Sequence, residues 1–202
     1  NLVYRAAKIA FTEAGVKAPA LSICCNNYIP MARGLGSSAA AIVGGLVGGS
    51  VLCGKPLSKE SLLRLGANLE GHADNVAPAL LGGCRVVVQD DLGIIASEVS
   101  IPPELKAVVF VPDVPMSTIE ARDVLPSNIS REDAVFNISR IALLVNALAK
   151  GRFEDLMVAT QDRLHQPVRE KMFPAMKYVF RAARDAGALG VFLSGGGSSV
   201  LA

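Results

Sequence analysis

Tryptophan is absent from the 202 residues, and aromatic residues make up only 5%. With a net charge of +2, the chain shows no basic cluster interleaved with aromatics, so a nucleic-acid partner is not expected. Histidine occurs twice, at His72 and His165, and the four cysteines (Cys24, Cys25, Cys53, Cys84) include no C-x-x-C pair. That spacing assembles no zinc constellation. So few thiols read as reduced, and a cytoplasmic setting is the expectation. A membrane span needs roughly 20 apolar residues. The uncharged run 39–54 holds 16 residues. Each of its glycines costs about 1 kcal/mol of helix propensity relative to alanine. It therefore reads as a buried helix packed closely on a neighbour, with no membrane partner. There is no signal-peptide pattern. The chain starts at Asn1 without Met and stops at "GGGSSVLA", where a strand begins. A chain cut at both ends is the expectation.

What is present is a core-forming composition, 51% hydrophobic and 19% charged. Apolar spacing predicts a helix over 2–14 stopped by Gly15, and "ALSICC" (20–25) reads as a strand. Ser37 or Ser38 opens an apolar helix that Gly54 closes. Ser58 caps the next helix, with Leu62, Leu65 and Leu69 on one face. A further helix start near Val76 is broken by Pro78. "CRVVVQD" and "GIIASEVS" read as strands joined by a turn at Asp91–Gly93. "IPPEL" (101–105) marks a boundary, giving domains 1–102 and 103–202. Beyond it "KAVVFVPD" is a strand, and Ser130 caps a long helix. That helix carries Glu132 and Asp133 at the positive end of its dipole and turns Val135, Ile138, Ile141, Ala142, Val145 and Leu148 to a core. A short helix over 152–161, a helix opened by Pro174 and ended by Gly187, and a strand "GVFL" follow. Strands and helices mix throughout, as in α/β or α+β folds.

The stretch "PMARGLGSSAAAIVGGLVGG" (30–49) admits several chemistries. Gly34, Gly36 and Ala39 satisfy G-x-G-x-x-A, but the dinucleotide fingerprint needs a strand ending at its first glycine, and a proline-containing loop intervenes here. The acidic residue near the required offset, Glu60, falls at a helix start. A Walker A loop is excluded because no Lys-Ser/Thr follows the glycines. A phosphate cradle remains: glycines let backbone N–H groups turn toward an anion, and a helix N-terminus follows directly. A plain glycine turn with serine as N-cap stays open beside it.

The residues resemble the GHMP small-molecule kinases. "PMARGLGSSAAA" is similar to their P-x-x-x-G-L-G-S-S-A-A motif. "LEGHADNVAPALLGG" (69–83), "STIEARDVLP" (117–126) and "DRLHQPVRE" (162–170) resemble segments of the homoserine kinases within that family. "GALGVFLSGGGSSVLA" (187–202) resembles its third, glycine-rich motif. The likeness runs from residue 30 to the end. It implies a two-domain α+β architecture, with an N-terminal domain carrying the phosphate loop and a ferredoxin-like C-terminal domain. It implies transfer of the ATP γ-phosphoryl to the side-chain hydroxyl of L-homoserine, with Mg²⁺ as cofactor.

By that resemblance, Pro30, Arg33, Gly34, Leu35, Gly36, Ser37, Ser38 and Ala39 form the ATP phosphate loop. Ser37, Ser38 and Glu70 are the candidate Mg²⁺ ligands, since Mg²⁺ takes oxygen donors and one or two carboxylates. His72, Asp74, Asn75, Arg122, Arg163, Gly195 and Gly196 face the amino-acid substrate, with Asn75, Asp74 and Arg122 as the catalytic set. Arginine suits a substrate carboxylate because its fork matches it bidentately. Asp74 reads either as a base or as a helix cap. The third motif departs from the family's L-S-G-A-G-P-S pattern: Gly196 replaces alanine and Ser198 replaces proline, which predicts a looser loop. Two other readings stay open: another GHMP kinase acting on a mevalonate-type or sugar alcohol, and a non-catalytic nucleotide-binding relative. A homodimer is the assembly considered.

Overall fold

Local capping rules account for the long helices. Asn1 accepts from the Tyr4 N–H and starts α1 (Leu2–Glu13), with Gly15 in the left-handed region just beyond its end. α2 (Ser37–Leu52) opens at Ser37, within the expectation, with Gly36 as its N-cap. Ser58 accepts from the Ser61 N–H to start α3 (Lys59–Glu70), which Gly71 closes at φ 90°. Ser130 accepts from the Asp133 N–H to start α6 (Arg131–Lys150), which Gly151 closes at φ 66°. The computed structural model describes residues 1–54 and 56–202. They divide into two units, one of residues 1–29 and 36–99 and the other of residues 30–35 and 100–202.

In the first unit, α1 and α2 pack face to face. Ala6 and Ala10 meet Ile42 and Leu46, and Leu62 and Leu65 of α3 complete the core. Glycine sets how close the pair comes. A Cβ at Gly49 would lie 2.7 Å from the Ala7 carbonyl, and one at Gly45 would lie 2.7 Å from the Ala6 Cβ. Gly44 and Gly48 face open space. Among the described residues no helix is long and apolar enough to cross a membrane. α4 (Val76–Leu81) follows a short loop. Pro78 does not break it, because it sits in the first turn, where its missing N–H has no intrahelical partner to lose. β1 (Cys84–Asp90) and β2 (Gly93–Val99) form an antiparallel hairpin from Cys84↔Val99 to Asp90↔Gly93. Asp90 Oδ1 accepts from the Leu92 and Gly93 N–H groups and tightens its turn. Val87, Ile94 and Ala96 of the hairpin pack on Ala39, Leu63, Val76 and Ala77.

The expected strand over 20–25 is not formed. These residues lie in irregular, largely exposed backbone, and among the described residues no strand pairs with them. Strand character needs a partner for its N–H and C=O groups, which composition alone does not supply.

The second unit holds a three-stranded antiparallel sheet, in the order β3 (Val109–Phe110), β5 (Val200–Leu201), β4 (Phe192–Leu193). Val108 and Ala202 extend the β3–β5 ladder by a reciprocal pair of 2.9 Å bonds. The helices are α5 (Thr118–Asp123), α6, α7 (Leu156–Ala159, entered through a 3₁₀ turn over Phe153–Asp155), α8 (Gln166–Arg169) and α9 (Met176–Asp185). Met116, Phe173, Met176, Val191, Leu193 and Val200 make the core. Mixed helix and antiparallel sheet in each unit agree with the expected α+β class.

α6 departs from expectation in its face. Val135, Ile138, Ile141 and Ala142 are exposed, Val145 and Leu148 are half-buried, and the buried residue is Ala147. The helix packs on α7 and the 3₁₀ turn.

Candidate active site

The glycine loop is built from left-handed residues. Ala32 (φ 53°), Gly34 (φ 71°) and Gly36 (φ 73°) alternate along it and then feed straight into α2. Gly36, not a serine, occupies the N-cap, and no side chain caps the helix. The first N–H to reach back is that of Ala40, which donates to the Gly36 carbonyl at 3.0 Å. The N–H groups of Ser37, Ser38 and Ala39 therefore have no intrahelical acceptor, as at any helix start. They lie at the positive end of the helix dipole, an arrangement suited to an anion.

The first half of the loop is held from below by the glycine turn after β4. Ser194 Oγ donates to the Gly34 carbonyl at 2.8 Å, and the Ser199 N–H donates to the Arg33 carbonyl at 3.1 Å. Gly34 is packed so tightly there that a Cβ would overlap the Ser194 carbonyl and lie 2.9 Å from Gly197 N. Gly195, on the same turn, would place a Cβ 3.2 Å from the Gly34 carbonyl. Gly196 is half-buried at its tip. Arg33, expected beside the phosphates, donates to the Met31, Ala32 and Pro112 carbonyls and pairs with Asp113 at 3.2 Å. Its charge thus braces the loop, and the backbone is left to meet an anion. The looser turn expected from Ser198 is not observed: Ser198 is fully buried and its hydroxyl donates to the Val114 carbonyl. Pro30 and Leu35 belong to the same loop and are, respectively, exposed and half-buried.

In the first unit a polar chain runs from α2 to the entrance of α4. The Ser38 hydroxyl donates to Glu70 Oε1. The Glu70 side chain is only 9% exposed, and His72 Nε2 lies 3.9 Å from the same oxygen. His72 Nδ1 bonds Asp74 Oδ1, which also accepts from the Asn75 N–H at 2.7 Å. Asp74 is not the N-cap of α4; Asn75 holds that position. The structure thus brings Ser38, Glu70, His72 and Asp74 together from segments 32 residues apart, and places Asn75 at the helix start. Ser37 stands half-buried at the first position of α2. A carboxylate and a hydroxyl are hard oxygen donors, which fits Mg²⁺ in the usual mode of few protein ligands plus phosphate. Among the described residues no group of three or more His, Cys, Asp or Glu could cage a metal by itself.

The arginines of the second unit fall into different roles. Arg163 lies with its guanidinium 4.0 Å from the centre of the Phe136 ring, where Arg140 also stacks at 3.5 Å. Its Nη1 is 3.7 Å from Asp133. Arg163 is thus docked on α6. Arg122 sits exposed in the last turn of α5. Reading the sequence missed Arg169. It is 7% exposed, donating from Nε to the Ala121 carbonyl at 3.1 Å and from Nη1 to the Gly195 carbonyl at 2.8 Å. Burial pushes its guanidinium below its ordinary range, Asp162 opposes this, and the Arg122 charge adds to it. The available signal was its place in "DRLHQPVRE", four residues after His165.

Asp162 organises that segment. Its side chain is 6% exposed and accepts from Asn137 Nδ2 (2.5 Å) and from the N–H groups of Leu164, His165 and Gln166. Burial works against the carboxylate, but the bonds from Asn137, Gln166 and His165 hold it below the usual range. Burial pushes the His165 imidazole down. Asp162 pulls it the other way, and Arg169 pushes it further down.

Comparison with known proteins shows the family. Residues 1–83 match the GHMP kinases N terminal domain, and residues 144–202 match the GHMP kinases C terminal domain. All 202 residues align with the homoserine kinase of Moorella thermoacetica at 47% identity, covering 68% of that protein. They align with the homoserine kinase of Caldicellulosiruptor bescii at 46%, covering 66%. Among solved structures, the homoserine kinase of Cytophaga hutchinsonii is similar over the whole chain at 30% identity and a TM-score of 0.86, with 65% of that protein covered. A 4-(cytidine 5'-diphospho)-2C-methyl-D-erythritol kinase is similar at 26% identity and a TM-score of 0.64. The chain thus spans about two thirds of the length of these relatives. With both family domains matched and near-half identity along its full length, the chain belongs to the GHMP kinase family.

Proposed function

We propose that the protein carrying this chain is a homoserine kinase, which moves the ATP γ-phosphoryl group to the side-chain hydroxyl of L-homoserine and yields O-phospho-L-homoserine for threonine synthesis. The observation that carries this reading is the Ser38–Glu70 pair beside the uncapped start of α2, in a chain that aligns end to end with homoserine kinases. The bond from the γ-phosphorus to the β–γ bridging oxygen breaks, and one to the substrate oxygen forms. ADP is the leaving group, and the hydroxyl proton is released to solvent. Such transfer is mostly positioning and charge stabilisation.

The backbone of Gly34–Ala39 would hold the phosphates, with Pro30 and Arg33 shaping the loop. Ser37, Ser38 and Glu70 would hold Mg²⁺, which neutralises charge on the phosphates when bound. His72, Asp74 and Asn75 would orient the substrate, with Arg122 and Arg163 toward its carboxylate and Gly195 and Gly196 lining the approach. Asp74 already accepts from Asn75 and bonds His72, which supports alignment over proton abstraction as its role. We assign residues 1–102 to the ATP-binding domain and 103–202 to the C-terminal domain. A cytoplasmic setting agrees with four free thiols.

The test is Mg²⁺-dependent ATP turnover by the full-length protein with L-homoserine, mevalonate and a sugar alcohol as acceptors. Stimulation by L-homoserine is expected. Transfer to another alcohol with no response to L-homoserine would overturn the assignment, and nucleotide binding without transfer to any acceptor would show a non-catalytic relative. Light scattering on the same sample tests for a homodimer.

A further inference from the structure

β4 is an edge strand: it pairs with β5 on one side, and among the described residues no strand lies on its other side. Outward N–H groups of an edge need acceptors when they are buried. Two side chains supply them. The Leu193 N–H donates to Gln166 Oε1 at 2.8 Å, and the Val191 N–H donates to Thr160 Oγ1 at 3.3 Å. Gln166 Nε2 donates in turn to the Thr160 carbonyl at 3.4 Å. Gln166 is 7% exposed, too deep to touch a nucleotide itself.

The position of this bond gives it a second consequence. Leu193 is followed by Ser194, whose hydroxyl holds the Gly34 carbonyl. The next residue, Gly195, presents its carbonyl to Arg169, from the same short helix as Gln166. α8 thus grips the strand at 193 and the turn at 195, on either side of the residue that holds the glycine loop. α8 has only four residues and is fixed by Asp162 through the His165 and Gln166 N–H groups.

We infer that Gln166 is a positioning residue for the phosphate loop, acting through Leu193 and Ser194 to set the height of Gly34. The inference rests on the reading of residues 34–39 as the ATP phosphate loop. Thr160 is its internal control, because it makes the same kind of bond to Val191, just before β4 and two residues further from Ser194.

The test is calorimetric titration of the full-length protein with MgAMP-PNP, an ATP analogue that cannot transfer its phosphoryl group. Gln166→Met keeps the side-chain length and removes the acceptor. It is expected to weaken binding roughly tenfold, the scale of a small misplacement of a binding group. Thr160→Val is expected to lower the melting temperature and leave affinity within about threefold of wild type, within the range of a bond that leaves the site in place. Equal affinity for Gln166→Met and wild type, or equal weakening by both variants, overturns the inference. A second measurement needs no variant. By reciprocity of linkage, MgAMP-PNP should slow amide exchange at Leu193 in the wild type, and unchanged exchange there also overturns the inference. A wild type that does not bind MgAMP-PNP refutes the loop reading itself, a result distinct from either of these.

Discussion

Gly34 and Gly36 share a backbone conformation, at φ 71° and 73°, but not their surroundings. At Gly36 an added Cβ meets nothing within 4 Å, whereas at Gly34 it would overlap the Ser194 carbonyl and come within 2.9 Å of Gly197 N and 3.0 Å of Gly197 O. Those neighbours are backbone and cannot rotate away. An L side chain in the left-handed region costs roughly 1–2 kcal/mol at either position. Overpacking against fixed neighbours adds about 1–3 kcal/mol at Gly34 alone. Gly34→Ala is therefore expected to cost about 2–5 kcal/mol against about 1–2 kcal/mol for Gly36→Ala. At ~2–4 °C per kcal/mol, that is a difference of several degrees in Tm. Thermal unfolding of the two variants in the full-length protein measures it. Gly34→Ala should also raise the KM for ATP, because the clash can be relieved only by parting the loop from the turn beneath it. Equal losses of stability would show that the turn does not support Gly34, and would refute the reasoning.

Other perturbations follow from the same contacts. Glu70→Ala should abolish Mg²⁺-dependent turnover with the circular dichroism spectrum unchanged, and turnover that persists would remove Glu70 from the metal set. Gly44→Ala and Gly48→Ala, facing open space, should stabilise α2 by about 0.5–1 kcal/mol each. Gly45→Ala and Gly49→Ala should destabilise it, because the α1 backbone occupies the space; urea unfolding of the four variants reads the sign. Acid should act in two windows. The His165 imidazole is held below its ordinary value, so the unfolded chain takes up that proton first. Its contribution is present above about pH 6.5 and is lost as pH falls through the lower folded-state value. The Asp162 carboxyl is also held low, so its contribution is present above about pH 3.9 and is lost below it. His165→Gln should flatten the upper window of a stability–pH curve, and Asp162→Asn the lower one.

Features decided within one turn of chain were legible in the sequence. Ser58 and Ser130 cap helices where expected, Gly15, Gly54 and Gly187 stand just past helix ends, and the Asp91–Gly93 turn joins the expected strands. Features that need a partner were not. "ALSICC" has strand composition but nothing among the described residues to pair with. α6 has a helical apolar stripe, but periodicity cannot say whether a neighbour covers it. α5 and α8, of six and four residues, are too short to show a period at all.

The candidate site divides along the same line. The glycine loop was readable because left-handed glycines feeding a helix are a local signal. Ser38 and Glu70 were linked only through resemblance, since no rule of spacing joins residues on two different helices. Arg33 shows the limit of a motif: position puts it beside the phosphates, yet its donors close onto Pro112 and Asp113, 79 and 80 residues away. Arg169 and Gln166 show the opposite error. The resemblance carried by "DRLHQPVRE" singles out Arg163, the more exposed residue. Burial adds two residues that the motif does not show, because Arg169 and Gln166 each answer a backbone group at or beside the glycine turn, which is left unsatisfied without them. Buried polar side chains in a short helix, as Gln166 and Arg169 are in one whose start is fixed by the Asp162 carboxylate, are costly to keep. That cost is the physical reason to look for function in this segment first.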